Sequence, residues 1–171
     1  MAQEPEYAET TIDKLIRILK DWDNPHFFKK WIYGDDSDLL AALDELPCIV
    51  ISLSGTDVQQ GPTGRDELVE TVRINLILNR TQYMDTYDEN TVGWRKKLEL
   101  MVQGQNPTGN QYDPTTILGT IRTNFTLNNS ITNQIIKVRY GEVPKKDTEE
   151  RTGEAWITLT ITRFVETPNK T

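Results

Sequence analysis

Ala155-Trp156-Ile157-Thr158-Leu159-Thr160-Ile161-Thr162 sends Ala155, Ile157, Leu159 and Ile161 to one side and Trp156 with three threonines to the other. Successive side chains of a strand point to opposite faces, so this run is a β-strand with one buried face. The same pattern occurs earlier, where Val72, Ile74, Leu76 and Leu78 alternate with Thr71, Arg73, Asn75 and Asn79. Cys48 to Leu53 is apolar and β-branched, and Ile131 to Tyr140 alternates less cleanly. Four strands are therefore expected, and one-sided burial of this kind is typical of antiparallel sheets.

Between the strands the spacing turns helical. Ile12, Leu15, Ile16, Leu19 and Trp22 recur every three or four residues behind the capping pair Thr10 and Asp13, predicting a helix over 10–22. Asn24-Pro25 suits the start of a short second helix carrying Phe27, Phe28, Trp31 and Ile32. Ser37 suits the start of a third, with Leu39, Leu40 and Leu43 inward and Pro47 as its stop. Trp94, Leu98, Met101 and Val102 place a helix within Thr91 to Gln103, and Asp113-Pro114 opens another through Ile117, Leu118 and Ile121. Two glycine-rich segments, Ser54 to Gly64 and Gly104 to Gly109, read as long loops. The fold class is thus α+β: about four mainly antiparallel strands packed against helices, with long glycine-rich loops. At 171 residues one domain is expected, spanning 1–171 with frayed ends at about 1–7 and 166–171.

The chemistry-bearing residues are few. His26 is the only histidine and Cys48 the only cysteine, so a nucleophile–histidine pair or a cysteine–histidine zinc site has almost nothing to draw on. Cys48 sits in an apolar strand, where a thiol behaves as a small buried hydrophobe. The acidic clusters Asp35-Asp36-Ser37-Asp38 and Asp85 to Glu89 lack the spaced ligands and central glycine of a calcium loop. Gly61-Pro62-Thr63-Gly64-Arg65-Asp66 lacks the Gly-Lys-Ser/Thr ending of a phosphate loop. Phe27, Phe28, Trp31 and Tyr33, with Lys29 and Lys30 among them, read as core packing or a protein-docking surface rather than a base-stacking platform. No catalytic residue, metal or cofactor is expected.

A formal net charge of −7 opposes dedicated binding to phosphate backbones. The opening residues lack the basic and apolar stretches of a secretion signal, and no apolar run approaches the roughly 20 residues that span a bilayer. The expected setting is the inside of a cell or a particle assembled there, with no membrane partner. Asn79, Asn124, Asn128 and Asn169 begin glycosylation triplets, which in that setting are chance.

Four features in order carry a resemblance: Leu46-Pro47-Cys48-Ile49-Val50-Ile51; Gly61-Pro62-Thr63-Gly64 leading to Thr71-Val72-Arg73-Ile74; the Gly104 to Leu118 loop and helix; and the closing Ala155 to Val165 strand. In this order the chain, from about Ile12 to Val165, resembles the tail terminator proteins of long-tailed bacteriophages, the group of the lambda minor tail protein U. The aromatic segment Pro25 to Asp36 departs from the smallest members.

The resemblance implies a structural virion protein of the neck, assembled in the host cytoplasm, with no active site. It implies a hexameric ring that caps the tail tube, stops its polymerisation and meets a head–tail connector or stopper protein. The alternatives are another neck protein (stopper, adaptor or tail-completion protein), a small cytosolic binding domain, or a small enzyme acting through acidic residues. Interface candidates are the loop residues Gln59, Gln60, Gly61, Pro62, Thr63, Gly64, Arg65, Gly104, Asn106 and Tyr112. DNA is expected to pass through the ring without specific binding. Asp85, Asp88, Glu89, Glu142, Glu149 and Glu150 are candidates for an acidic lumen wall that does not hold it, with an outer solvated surface as the other reading.

Overall fold

A computed structural model of the protein describes residues 10–23, 27–33, 45–61, 64–83, 93–104, 113–124, 133–144 and 151–166. These residues form a five-stranded mixed sheet with three short helices. This corrects the expected four-stranded, mainly antiparallel sheet. The elements run α1 (Thr11–Trp22), β1 (Lys30–Tyr33), β2 (Cys48–Gln60), β3 (Arg65–Asn79), a 3-10 turn (Arg80–Tyr83), α2 (Trp94–Val102), α3 (Ile117–Thr123), β4 (Asn133–Pro144) and β5 (Arg151–Glu166). In the sheet the order is β1-β2-β3-β5-β4, with β1 parallel to β2 and every other pair antiparallel.

The added strand is β1, which lies where the sequence predicts a second helix. Asp23 accepts backbone hydrogen bonds from Phe27 (2.9 Å) and Phe28 (3.4 Å), tying the chain close to the end of α1. Lys30 to Tyr33 then pairs with Cys48 to Ile51. Ile32 joins Leu46 and Cys48 on one side of the sheet, whereas Trp31 packs on the main core. A four-residue run is too short for periodicity to separate helix from strand, and pairing with β2 decides it. The helix expected from Ser37 lies outside the described residues.

The helices cover one face of the sheet. The capping box at α1 forms as expected: Thr10 N–H donates to Asp13 at 2.9 Å and Asp13 N–H to the Thr10 hydroxyl at 3.2 Å. Hydrogen bonds from Thr10 hold the Asp13 carboxyl below its ordinary pKa. Asp113 does not cap α3. It accepts from the Thr115 amide and hydroxyl, and Thr116 is the cap, accepting from Gly119 N–H at 3.0 Å. Trp22 Nε1 donates to the Thr115 carbonyl at 2.8 Å, fastening α1 to the turn before α3. Beneath lie Leu15 and Leu19 of α1, Leu98 and Val102 of α2, and Ile117 and Ile121 of α3, all fully buried. They meet Val72, Ile74, Leu76 and Leu78 of β3 and Ala155, Ile157, Leu159 and Ile161 of β5. Each fully buried aliphatic side chain is worth about 1.5–3 kcal/mol against exposure, so this shared face dominates stability.

The segment Ser54 to Gln60, read from sequence as loop, is strand. β2 pairs with β3 as far as Gln60 opposite Asp66. Gly61 N–H donates to the Arg65 carbonyl at 2.9 Å, and a Cβ on Gly61 would sit 2.7 Å from that oxygen. Gly64 has φ +79°, a conformation that favours glycine. A register shift between Leu53 and Gly55 marks a bulge. Before it, Ile49, Ile51 and Leu53 stand level with the core residues Leu76, Ile74 and Val72 of β3; after it, Thr56, Val58 and Gln60 stand on the same face opposite Glu70, Leu68 and Asp66, outside the hydrophobic core.

Candidate interaction surfaces

Two surfaces follow from this register. The first is an arm. The ladder of β2, β3 and β5 continues four or five residues beyond the last row covered by helices, pairing Gln59 with Glu67 and Glu67 with Phe164. From Leu53 to Gln60 every residue of β2 is exposed, and so are Phe164 to Glu166 of β5. Among them Leu53 (40%), Val58 (63%), Phe164 (46%) and Val165 (37%) are the described exposed apolar side chains of the arm. Val58, Leu68 and Val165 continue the core face outward with no helix on them among the described residues, and Val69 and Phe164 lie on the reverse. Where the core ends, the guanidinium of Arg163 is paired with Glu70.

The second surface is the face of the sheet away from the helices. Pairing across β2, β3, β5 and β4 gives three successive rows there: Gly55, Thr71, Thr160, Ile135; then Ser52, Arg73, Thr158, Lys137; then Val50, Asn75, Trp156, Arg139. No acid stands in these rows. Arg73, Lys137 and Arg139 are all exposed, and none forms a salt bridge or side-chain hydrogen bond among the described residues. Trp156 leans over Gly141, where an added Cβ would be 2.8 Å from its ring. Among the described residues acids return only at the borders. Asp57 and Glu67 stand toward the arm tip, and the buried Glu154 at the other end accepts from Asn75 (2.8 Å) and Thr152 (2.9 Å). Beside Glu154 the cluster of Ile32, Leu46 and Cys48 closes the sheet, and burial raises the Cys48 thiol from 9.0 to about 12.

The aromatic segment divides between packing and surface. Phe28 is buried, edge-on to Phe27 (5.2 Å between centroids) and to Trp31 (6.3 Å). Lys20 Nζ lies 5.7 Å from the Trp31 ring and 5.2 Å from the Tyr33 ring. An open pocket of about 470 Å³ there is lined by Lys20, Asp23, Phe28, Lys29 and Trp31. Among the described residues its lining holds one carboxylate and two lysines, with no cysteine, serine, threonine or histidine.

The expected interface residues fall into two places. Gln59, Gln60, Gly61, Gly64 and Arg65 all belong to the arm tip, where Arg65 pairs with Glu166 at 3.6 Å. Gly104, at φ +86°, instead ends α2 in the helix layer beside Asp113 and Thr116. Pro62, Thr63, Asn106 and Tyr112 lie outside the described residues, as do His26 and the lumen candidates Asp85, Asp88, Glu89, Glu149 and Glu150. Glu142 is described, and its carboxylate is bridged by Arg80 (3.4 Å) and Arg151 (3.3 Å). Sequence reasoning missed the open face, since its cations lie on strands far apart in the chain. The only local signal was the set of polar positions in each alternating run.

No protein-family model matches the chain, and no curated protein matches it.

Proposed function

We propose that the protein is a ring-forming structural component of a phage neck, a tail terminator that caps the tail tube and stops its growth. The sequence resemblance suggests the role, and the arm is the observation that carries it. A three-stranded ribbon with apolar side chains on both faces is poorly suited to stand alone in water, because it has no core of its own to bury them. It suits a subunit whose neighbour or tube supplies the missing surface. Head-to-tail contacts of that kind close into rings when their rotation allows. The tail tube subunit and the head–tail connector or stopper are the partners this role requires.

The test is assembly. Mixed with polymerising tail tube subunit, the chain should shorten the tubes and be found at one end as a ring of six. A ring joined to the particle without any effect on tube length would assign the chain to an adaptor or stopper position. A monomer in the assembled neck would overturn the proposal.

A further inference from the structure

We propose that the open sheet face is a contact surface for the phosphate backbone of duplex nucleic acid. The case rests on local charge. In a chain of net charge −7, three cations gather on one face in rows that hold no acid among the described residues. Lys137 and Arg139 are two residues apart on β4, about 7 Å, and Arg73 lies across β5 from Lys137, about 10 Å. Between them stands Thr158, with a hydroxyl that donates. Cations and hydroxyls are the side chains that hold phosphate oxygens without reading sequence. A protein partner would need an apolar anchor at the centre of the patch, and the centre here is the row of Arg73, Thr158 and Lys137. Trp156 borders that row half-buried, its ring held over Gly141. Nucleic acid is therefore the better fit than an acidic protein.

This surface belongs to a single chain and does not depend on the ring. Of the acids expected to line a lumen only Glu142 is among the described residues, and it is bridged by two arginines, whereas the three cations face solvent. Three contacts per chain make a weak, sequence-blind grip that lets a duplex slide.

Fluorescence anisotropy of a 30-base-pair duplex of random sequence, titrated with the full chain from 20 to 200 mM salt, tests it. Three phosphate contacts give a slope of about −2.7 for log affinity against log salt, or roughly a 40-fold loss from 50 to 200 mM. The variant R73Q/K137Q/R139Q should lose binding while keeping its circular dichroism spectrum, and each single substitution should flatten the slope by about 0.9. A control with the same loss of charge on the helix layer, K14Q/K20Q/K96Q, should bind as the parent does. Equal loss in the control, or no salt-dependent binding at 20 mM, overturns the proposal. So does tighter binding of polyglutamate than of duplex, which would give the face to an acidic protein. Rings that form without DNA affinity defeat this inference alone, and DNA affinity in a chain that never assembles defeats only the neck role.

Discussion

Arg163 holds Glu70 through two parallel hydrogen bonds, Nε to Oε2 at 3.0 Å and Nη2 to Oε1 at 3.2 Å, at the row where the covered core gives way to the arm. Two-point guanidinium–carboxylate pairing is among the strongest side-chain contacts, and the Glu70 side chain is only 12% exposed. The pair seals the end of the core against water while the strands run on. Arg163→Ala strands a mostly buried carboxylate and should cost about 1–3 kcal/mol in urea unfolding. Removing both partners, Glu70→Ala with Arg163→Ala, should cost less than the sum of the single changes.

Gly153 lies under the indole of Trp94, where an added Cβ would be 2.3 Å from a ring carbon, and Trp94 is buried. Gly153→Ala should therefore destabilise by about 1–3 kcal/mol through overpacking. Gly141→Ala meets Trp156 at 2.8 Å on the open face, where the half-buried ring has solvent to swing into. Its cost should be smaller, below about 1 kcal/mol. Thermal melts of the two variants compare them, and equal shifts would count against this account of the two rings.

Alkaline pH should destabilise the protein through a buried thiol and a half-buried tyrosine whose hydroxyl is shielded from water. Burial raises Cys48 from 9.0 to about 12, and burial first, then the charge of Glu99, raises Tyr140 from 10.0 to about 12. Above its ordinary pKa each group loses its proton more readily in the unfolded chain, so stability is complete below about pH 9 and falls as pH rises toward 12. Cys48→Ala should flatten the part of the decline that begins near pH 9. In native protein at pH 8 iodoacetamide should leave Cys48 unmodified, because the side chain is fully buried.

The arm should exchange its amide hydrogens faster than the core of the same ladder. Thr56 to Gln60 pair with β3 as regularly as Cys48 to Ile51 do, yet only the latter stretch carries fully buried core side chains. Exchange in the free chain should be at least about tenfold faster in the arm, with the difference reduced when the chain is assembled with tail tube subunit. Equal protection of the arm amides in both states would remove it from the contact surface.

What could be read in advance followed from burial on one side. Val72 to Leu78 and Ala155 to Ile161 announce their strands because the core takes alternate residues and water takes the rest. Ser54 to Gln60 gave no such signal, since both of its faces meet solvent and its conformation comes from the partner strand. β1 is not legible in the sequence because four residues carry too little period, and pairing with Cys48 to Ile51 is a tertiary fact. The basic face was hidden for a related reason. Arg73 and Lys137 share a row only because β5 lies between their strands.

That placement of β5 also governs the timing of folding. The strand translated last among those described is the one inserted between β3 and β4. On a ribosome adding roughly 5–20 residues per second, the 71 residues between Asn79 and Arg151 delay it by about 4–14 s. Throughout that interval β3 offers an unsatisfied backbone edge, with Val72, Ile74, Leu76 and Leu78 beside it. A nascent chain in this condition is open to pairing with the same edge of another copy, so yield in the cell should depend on translation speed and crowding as much as on final stability.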